Sequence, residues 1–475
     1  MMSITLAGLK SAGRTPALPS LLATPEGNIL LQRWLRVLPG KRLVAAGERD
    51  GQAVVVKLFV SPAAQRHAQR ELDGLLALQT AAIDTPAILD SGEFEGGGRY
   101  ICTRYLEGSE SLHVLWERAD GPVSGDTAAT ELLGKALGRI GAMHRAGLRQ
   151  TDLHLGNFLM QGEQLYVIDG DAIEQVSPDQ PLTSQQAEDN LAIFFAQLDS
   201  HWDAQVELLL IHYLQVNAER SINPDRLIKE IGRVRAQRLA DWLRKAVRDC
   251  SLVQVTRSWW QYCAVLRSRS AELSPLLEAP DQPFEQTPQL KDGGSSSVTL
   301  AQTGASQVVV KRYNIKGLGH WLTRFWRPSR AWHSWLAAQR LQFLHIPTPA
   351  PLAMVESRFG PLRRRAWLIC EFCPGASLIE VFGEQGEILP TAQQGEALRV
   401  MVRQLGDAHI SHGDFKATNL LWHADQVWLI DLDSMQAHGS SAEWHAAWQI
   451  DRARLIRNWP QGSPLAEWLE ANLPV

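Results

Sequence analysis

The stretch DLHLGNFLMQGEQLYVIDGD at 152–171 returns at 414–433 as DFKATNLLWHADQVWLIDLD without a gap. Asp152 falls on Asp414, Asn157 on Asn419, Asp169 on Asp431 and Asp171 on Asp433. A further Asp follows at the same interval in each copy, Asp189 and Asp451. Whatever this chain folds into, it must build the same carboxylate-rich loop and hairpin twice. At 475 residues there is room to do so, because single cores stop growing near roughly 250–300 residues and longer chains divide.

The rest of each half follows one order. A Val-rich strand ends in Lys, GQAVVVKLF reaching Lys57 and ASQVVVKRY reaching Lys311. A helical segment comes next, then a second apolar strand, RYICTRYLEGSESL or AWLICEFCPGASL. A helix with apolar residues at helical spacing, ATELLGKALGRIGAMHRAG or GEALRVMVRQLGDAHI, then leads into the repeated motif. This predicts an α+β chain in which a small sheet-rich lobe precedes a mainly helical lobe, twice over. The Pro-rich, polar stretch SPLLEAPDQPFEQTPQ lacks helical periodicity and reads as a linker. The expected division is a first domain at 1–275, a linker at 276–289 and a second domain with a short helical lobe at 290–475.

Composition narrows the partners. A formal charge of −4 gives no global basic excess, so nucleic acid is not expected. The five cysteines are odd in number and scattered, which argues for a reducing compartment, and the lone pair Cys370 and Cys373 reads as strand packing. No apolar run reaches the length of a membrane span and the start lacks a signal-peptide core, so a cytoplasmic protein is expected.

A phosphoryl-transfer site needs a Lys for nucleotide phosphates, oxygen ligands for Mg²⁺ and a carboxylate that orients and accepts a hydroxyl proton. Each half supplies them. An Asn amide oxygen and an Asp carboxylate brought together by a loop and hairpin suit a hard cation, with ATP oxygens and water completing the shell.

These residues resemble the protein-kinase-like superfamily. An Asp followed five residues later by Asn matches its catalytic loop at Asp152 and Asn157 and again at Asp414 and Asn419. Asp169 and Asp431 stand at its metal-binding Asp, and Lys57 and Lys311 at its phosphate-anchoring Lys. Lys416 stands where protein kinases place a Lys that reaches the transferred phosphate; His154 takes that place in the first half. Within the superfamily, the phrase VVVKRYNIKGLGHWLTRFWRPSRAWHSW and the loops SHGDFKATNLL and QTDLHLGNFLM are similar to the bacterial lipopolysaccharide core kinases, the Kdo and heptose kinase family. The resemblance implies two tandem bilobal kinase-like domains, ATP and Mg²⁺ as cofactors, and a sugar of the lipopolysaccharide inner core as acceptor at the inner membrane's cytoplasmic face. It also implies that Asp189 and Asp451 brace the catalytic loop from a helix. A pair of pseudokinases acting as a scaffold and a Ser/Thr protein kinase are the alternatives.

Two departures matter. Glu71, on the helix after Lys57, fits the family's Lys-orienting Glu, whereas the same count in the second half lands on Ser334. Lys311 is therefore expected to be poorly held unless Glu356 or Glu371 substitutes, and the first half is the favoured catalyst. Conversely, His412 precedes Asp414 by two residues while the first half has Gln150. Neither phosphate-covering loop matches GxGxxG. His144 and His409 read as packing or hydrogen-bonding residues. Between Lys311 and its helix, residues 316–332 interleave Trp321, Phe325, Trp326 and Trp332 with Lys316, Arg324, Arg327 and Arg330. That pattern suits either an anionic membrane surface or packing under the sheet lobe. The arginines of RFGPLRRRAW read as a solvated hairpin tip.

Overall fold

The computed structural model describes residues 2–14, 16–119, 127–178, 180–294, 296–304, 306–314 and 328–474. Two compact units divide the chain, Met1–Arg235 and Ala236–Val475.

In the first unit a seven-stranded sheet runs Met2–Ser3, Ser20–Thr24, Gly27–Leu38, Arg42–Arg49, Gln52–Phe59, Gly98–Arg104, Ile88–Phe94 in spatial order. Only the first pair is parallel. Side chains alternate across a strand, so Val54, Val56 and Leu58 bury one face of Gln52–Phe59 and Lys57 emerges on the other. The helix Ala64–Thr80 buries Ala64, Ala68, Glu71, Leu75 and Leu78, a stripe at helical spacing in which Glu71 is the charged member. A helical lobe follows. Leu133, Leu137 and Ile140 of Thr127–Arg145 form its core with Leu191 and Phe194 of Ser184–Phe195 and with Leu209 and Tyr213 of Val206–Val216. The repeated motif forms a short helical turn, Leu155–Asn157, and the hairpin Phe158–Gln161 with Gln164–Val167, with Leu155, Phe158, Leu165 and Val167 in the same core.

The second unit repeats this plan. Its sheet runs Val253–Arg257, Gln261–Leu266, Pro351–Phe359, Leu362–Glu371, Ser306–Tyr313, Ser296–Thr303, Gln289–Asp292, antiparallel throughout. Val308 and Val310 face the core and Lys311 the opposite side. The helix Arg330–Phe343 takes the place of Ala64–Thr80, and Ala392–Asp407, Ser441–Ile456 and Pro464–Asn472 build the helical lobe around Phe415, Trp448 and Leu469.

The division differs from the one expected at 276–289. The helices Ser270–Glu278 and Gln282–Gln286 occupy that region, and Leu273, Leu276 and Phe284 are buried against Val308, Val310 and Ile369. Pro283 misleads as a linker signal: it stands in the first turn of its helix, where a missing N–H forfeits no hydrogen bond. The strands Val253–Arg257 and Gln261–Leu266, placed in the first domain by sequence, pair within the second sheet. The division falls within the helix Pro224–Lys245, and within the second unit Trp242 Nε1 donates to the Gln339 carbonyl at 3.1 Å. Among the described residues no helix is long and apolar enough to cross a membrane.

Candidate active sites

In the first unit Lys57 Nζ lies 2.5 Å from Glu71 Oε1 and 3.0 Å from Asp169 Oδ1. Glu71 is 1% exposed, and its two oxygens also accept the backbone N–H groups of Gly170 and Asp171, each at 3.1 Å. A buried carboxylate that accepts three hydrogen bonds is costly to move, so Lys57, the helix and the Asp169 turn form one rigid group. Sequence reasoning missed Arg42. From the neighbouring strand its Nη1 reaches Asp169 Oδ1 at 3.4 Å and both Glu71 and Asp171 at 3.9 Å. Burial would raise the Asp169 pKa, but the charges of Lys57 and Arg42 outweigh it and hold the carboxyl below its usual range.

The second unit anchors its lysine differently. Lys311 Nζ bonds Asp431 Oδ1 and lies 2.8 Å from Asp433 Oδ2. Asp433 also accepts from Arg330 Nη2 at 2.6 Å, Tyr313 Oη at 2.6 Å and Ser334 Oγ at 2.7 Å. Burial pushes the Asp433 carboxyl up; Lys311 and the hydroxyl donors more than reverse this and bring it down to about 2. The carboxylate expected from Glu356 or Glu371 comes from neither. Glu356 pairs with Arg358 and Ser329, and Glu371 with Arg269. Asp433 is the missing partner, and Ser334, at the position where the Glu count lands, is its support. Asp433 copies Asp171, whose carboxylate lies near Arg42 and Arg70 in the first unit, so the repeat alone does not single it out as the lysine's partner.

The reason for the exchange is steric. In the first unit Gly74 meets Gly170 so closely that a Cβ on Gly74 would sit 2.0 Å from the Gly170 carbonyl oxygen, and one on Gly170 would sit 2.2 Å from the Glu71 backbone carbonyl oxygen. Only glycine permits that approach, and it brings the Glu71 carboxylate onto the turn's N–H groups. Counting along the second copy puts Ala337 and Leu432 at these positions. A side chain at these positions does not allow the approach that the glycines allow, and the shorter Ser334 reaches the turn through Asp433 instead. Tyr313 completes the set where the first unit has Phe59.

Both motif turns are fixed alike. Asp169 and Asp431 have φ of +72° and +61°, a left-handed conformation uncommon for any residue but glycine, held at the same point of both copies. The carbonyl just before each is capped from the segment leading into the Asp152 or Asp414 loop: Gln150 Nε2 donates to the Ile168 oxygen at 2.9 Å, and His412 Nε2 is 2.9 Å from the Ile430 oxygen. Gln150 therefore does the work of the histidine whose absence the sequence had marked. Burial pushes the His412 pKa down, so the ring is neutral at pH 7 with its proton available to that carbonyl. Asp451 braces the loop as the resemblance implies, accepting His412 N at 2.8 Å and Gly413 N at 3.0 Å. Asp189 does not; it pairs with Arg226 at 2.8 Å, and the adjacent Asn190 bonds the Gln150 carbonyl at 2.8 Å and His144 Nε2 at 3.0 Å. A helix shows its neighbouring positions to different sides, so a conserved count in sequence need not be a shared direction.

Asn157 and Asn419 are buried, and each Nδ2 donates to the carbonyl of its own loop Asp, Asp152 at 2.7 Å and Asp414 at 2.9 Å. With the nitrogen so used, the amide oxygen is the atom left for a cation beside Asp169 or Asp431. One amide oxygen and one carboxylate fit a hard ion that takes its remaining oxygens from phosphates and water. Among the described residues no group of three or more His, Cys, Asp or Glu side chains gathers as a metal site. Asp414 is held by Arg454 Nη1 at 3.0 Å and Lys416 Nζ at 2.9 Å. Burial opposes ionisation there, but Lys416 and Asn419 outweigh it and keep the carboxyl below its usual range. Asp152 is 71% exposed, with His154 Nε2 at 3.8 Å.

A cavity of about 690 Å³ lies in the second unit, between its sheet and helical lobe. Lys311, Lys416, Asn419, Asp431 and Asp433 supply its polar wall, while Val298, Val309, Leu368 and Ile430 supply an apolar one. That size and mixture suit a nucleotide, a flat base against the apolar side and phosphates against the lysines. All five cysteines are free; Cys370 and Cys373 line the cavity, and burial pushes the Cys370 thiol up to about 12. Residues 316–327, the larger part of the aromatic and basic segment, lie outside the described residues.

A model of the lipopolysaccharide kinase (Kdo/WaaP) family matches residues 52–185 and again 289–461, more than half of the chain. Comparison with curated proteins finds no match. Solved structures similar to it include WaaP in complex with acyl carrier protein, at 22% identity over 45% of this chain and 88% of that one, with a TM-score of 0.32. The PknI kinase domain of M. tuberculosis is another, at 15% identity over 44% and 96%, with a TM-score of 0.29. The two matched segments each contain a lysine strand and an Asp, Asn, Asp motif, and the chain belongs to the lipopolysaccharide kinase (Kdo/WaaP) family, as an ATP-dependent kinase.

Proposed function

We propose that ATP with Mg²⁺ binds in the cleft of the second unit and that its γ-phosphate passes to a hydroxyl of a lipopolysaccharide inner-core sugar, at the inner membrane's cytoplasmic face. The observation that carries this reading is the 690 Å³ cavity whose polar wall joins Lys311 to Asn419 and Asp431. Lys311, positioned by Asp433, holds the nucleotide phosphates. Asn419 and Asp431 offer the oxygens that would hold Mg²⁺, which when bound neutralises charge on the phosphates. Asp414 aligns the acceptor hydroxyl and takes its proton, with Lys416 close enough to steady the transferred group. Positioning and fixed charge carry most of such a reaction.

A second reading places transfer in the first unit, through Lys57, Glu71, Asp152, Asn157 and Asp169. The 2.5 Å contact between Lys57 and Glu71 favours it. The sugar acceptor is tested by incubating the purified chain with Mg²⁺-ATP and either core oligosaccharide or a panel of proteins. Phosphate on the oligosaccharide alone is expected, and core sugars from cells lacking the gene should lose phosphate by mass spectrometry. Phosphorylated protein with an untouched oligosaccharide, or unchanged core sugars, would overturn it.

A further inference from the structure

At one end of the second unit's sheet two turns lie side by side, because Gln261 pairs with Ser357 on neighbouring strands. One turn carries Trp259 and Trp260, and the other carries Phe359 and Gly360. The turns are bonded together: Arg358 N donates to the Trp260 oxygen at 2.7 Å and Gly360 N to the Trp259 oxygen at 2.8 Å. The Phe359 ring sits 5.9 Å from Trp259 and 5.3 Å from Trp260. Gly360 has φ of +58°, and a Cβ there would lie 3.0 Å from the Trp259 ring, so the glycine makes the seat for that indole. Yet Trp259, Trp260 and Phe359 are 60%, 63% and 48% exposed. Three large rings fixed together in water are unfavourable unless something covers them.

The surrounding charge says what would. Arg257 and Arg364 are exposed at this tip. Three neighbouring arginines are already paired, Arg358 and Arg363 with Glu356 and Arg365 with Asp281. The surplus is cationic. Rings of roughly 150–250 Å² each, here already part-covered, fall short of the about 800 Å² per partner that a stable protein interface needs. Indoles with flanking arginines instead match the interfacial layer of an anionic bilayer, where rings sit at headgroup level and guanidinium groups meet phosphates.

We propose that the tip formed by Trp259, Trp260, Phe359, Arg257 and Arg364 docks the protein on an anionic lipid surface. This deepens the reading of a membrane-borne acceptor but stands on the surface alone: vesicle binding can fail while phosphate transfer to soluble oligosaccharide persists, and the reverse.

The full chain is sedimented with vesicles of phosphatidylcholine alone or of phosphatidylcholine mixed with phosphatidylglycerol. Binding to the mixed vesicles, weakened by salt, is expected. Trp259→Ser/Trp260→Ser should weaken it by roughly tenfold or more and Arg364→Glu by about fivefold. Ile388→Ser/Leu389→Ser, at another exposed apolar pair, should leave it intact. Arg364→Glu alters a solvent-facing side chain and keeps the test sound should the double tryptophan variant misfold. No binding to mixed vesicles, or equal binding by wild type and Arg364→Glu, would overturn the proposal. So would a wild-type dimer in sedimentation velocity that the tryptophan variant abolishes, since the tip would then join copies of the chain.

Discussion

Each unit fixes its strand lysine with a carboxylate, and the two do so with different atoms. The first unit uses Glu71 from the helix, the second Asp433 from the turn. Asp433→Asn leaves Lys311, Arg330 and Tyr313 around a neutral amide. The loss of charge-assisted hydrogen bonds should destabilise the second unit by about 2–3 kcal/mol. If the cleft is the ATP site, the ATP KM should rise roughly tenfold with kcat falling as well. Thermal melting and ATP-varied kinetics check both, and unchanged kinetics in a folded variant would remove Asp433 from the site. Titration gives a second test at this scale. Burial brings the His144 pKa from 6.5 down to about 4. The unfolded chain binds a proton there that the folded chain refuses. The stability is full above pH 6.5 and is lost as the pH falls toward about 4, on the order of 3 kcal/mol in all. Urea midpoints at pH 7 and 5 should differ, and His144→Gln should shrink the difference.

At the scale of elements, the contact between the helix after the lysine strand and the turn of Asp169 or Asp431 decides which carboxylate is used. Gly74→Ala puts a methyl 2.0 Å from the Gly170 carbonyl oxygen. Such overpacking should cost about 1–3 kcal/mol and pull Glu71 from Lys57. The melting temperature should fall; if it holds, the close approach is not what seats Glu71. This is also where sequence reading reached its limit. Alternation in GQAVVVKLF and ASQVVVKRY made the lysine strands legible, and the spacing of Asp, Asn and Asp made the loops legible, because each depends on local geometry. The Lys311 partner was not legible. It depends on how near two elements 100 residues apart can come, which two glycines permit in one copy and Ala337 with Leu432 prevent in the other. The same applies to Arg42, Asn190 and the capping role of Gln150, whose partners all lie across the fold.

For the molecule as a whole, the division at Arg235 and Ala236 replaces the linker read from prolines. The strands Val253–Arg257 and Gln261–Leu266 cover the edge of Pro351–Phe359, and a chain starting at 290 would expose that edge. A fragment 236–475 should melt cooperatively, and a fragment 290–475 should aggregate; equal behaviour of the two would contradict this boundary. Two units each with a lysine strand and a complete acidic motif leave one decisive question, which unit transfers phosphate. The direct measurement is steady-state phosphate transfer from Mg²⁺-ATP to core oligosaccharide by Asp431→Asn and Asp169→Asn chains side by side. The account predicts that Asp431→Asn lowers kcat by about a thousandfold or more while Asp169→Asn stays within a few-fold of wild type. The opposite pattern, activity kept in Asp431→Asn and lost in Asp169→Asn, would contradict it.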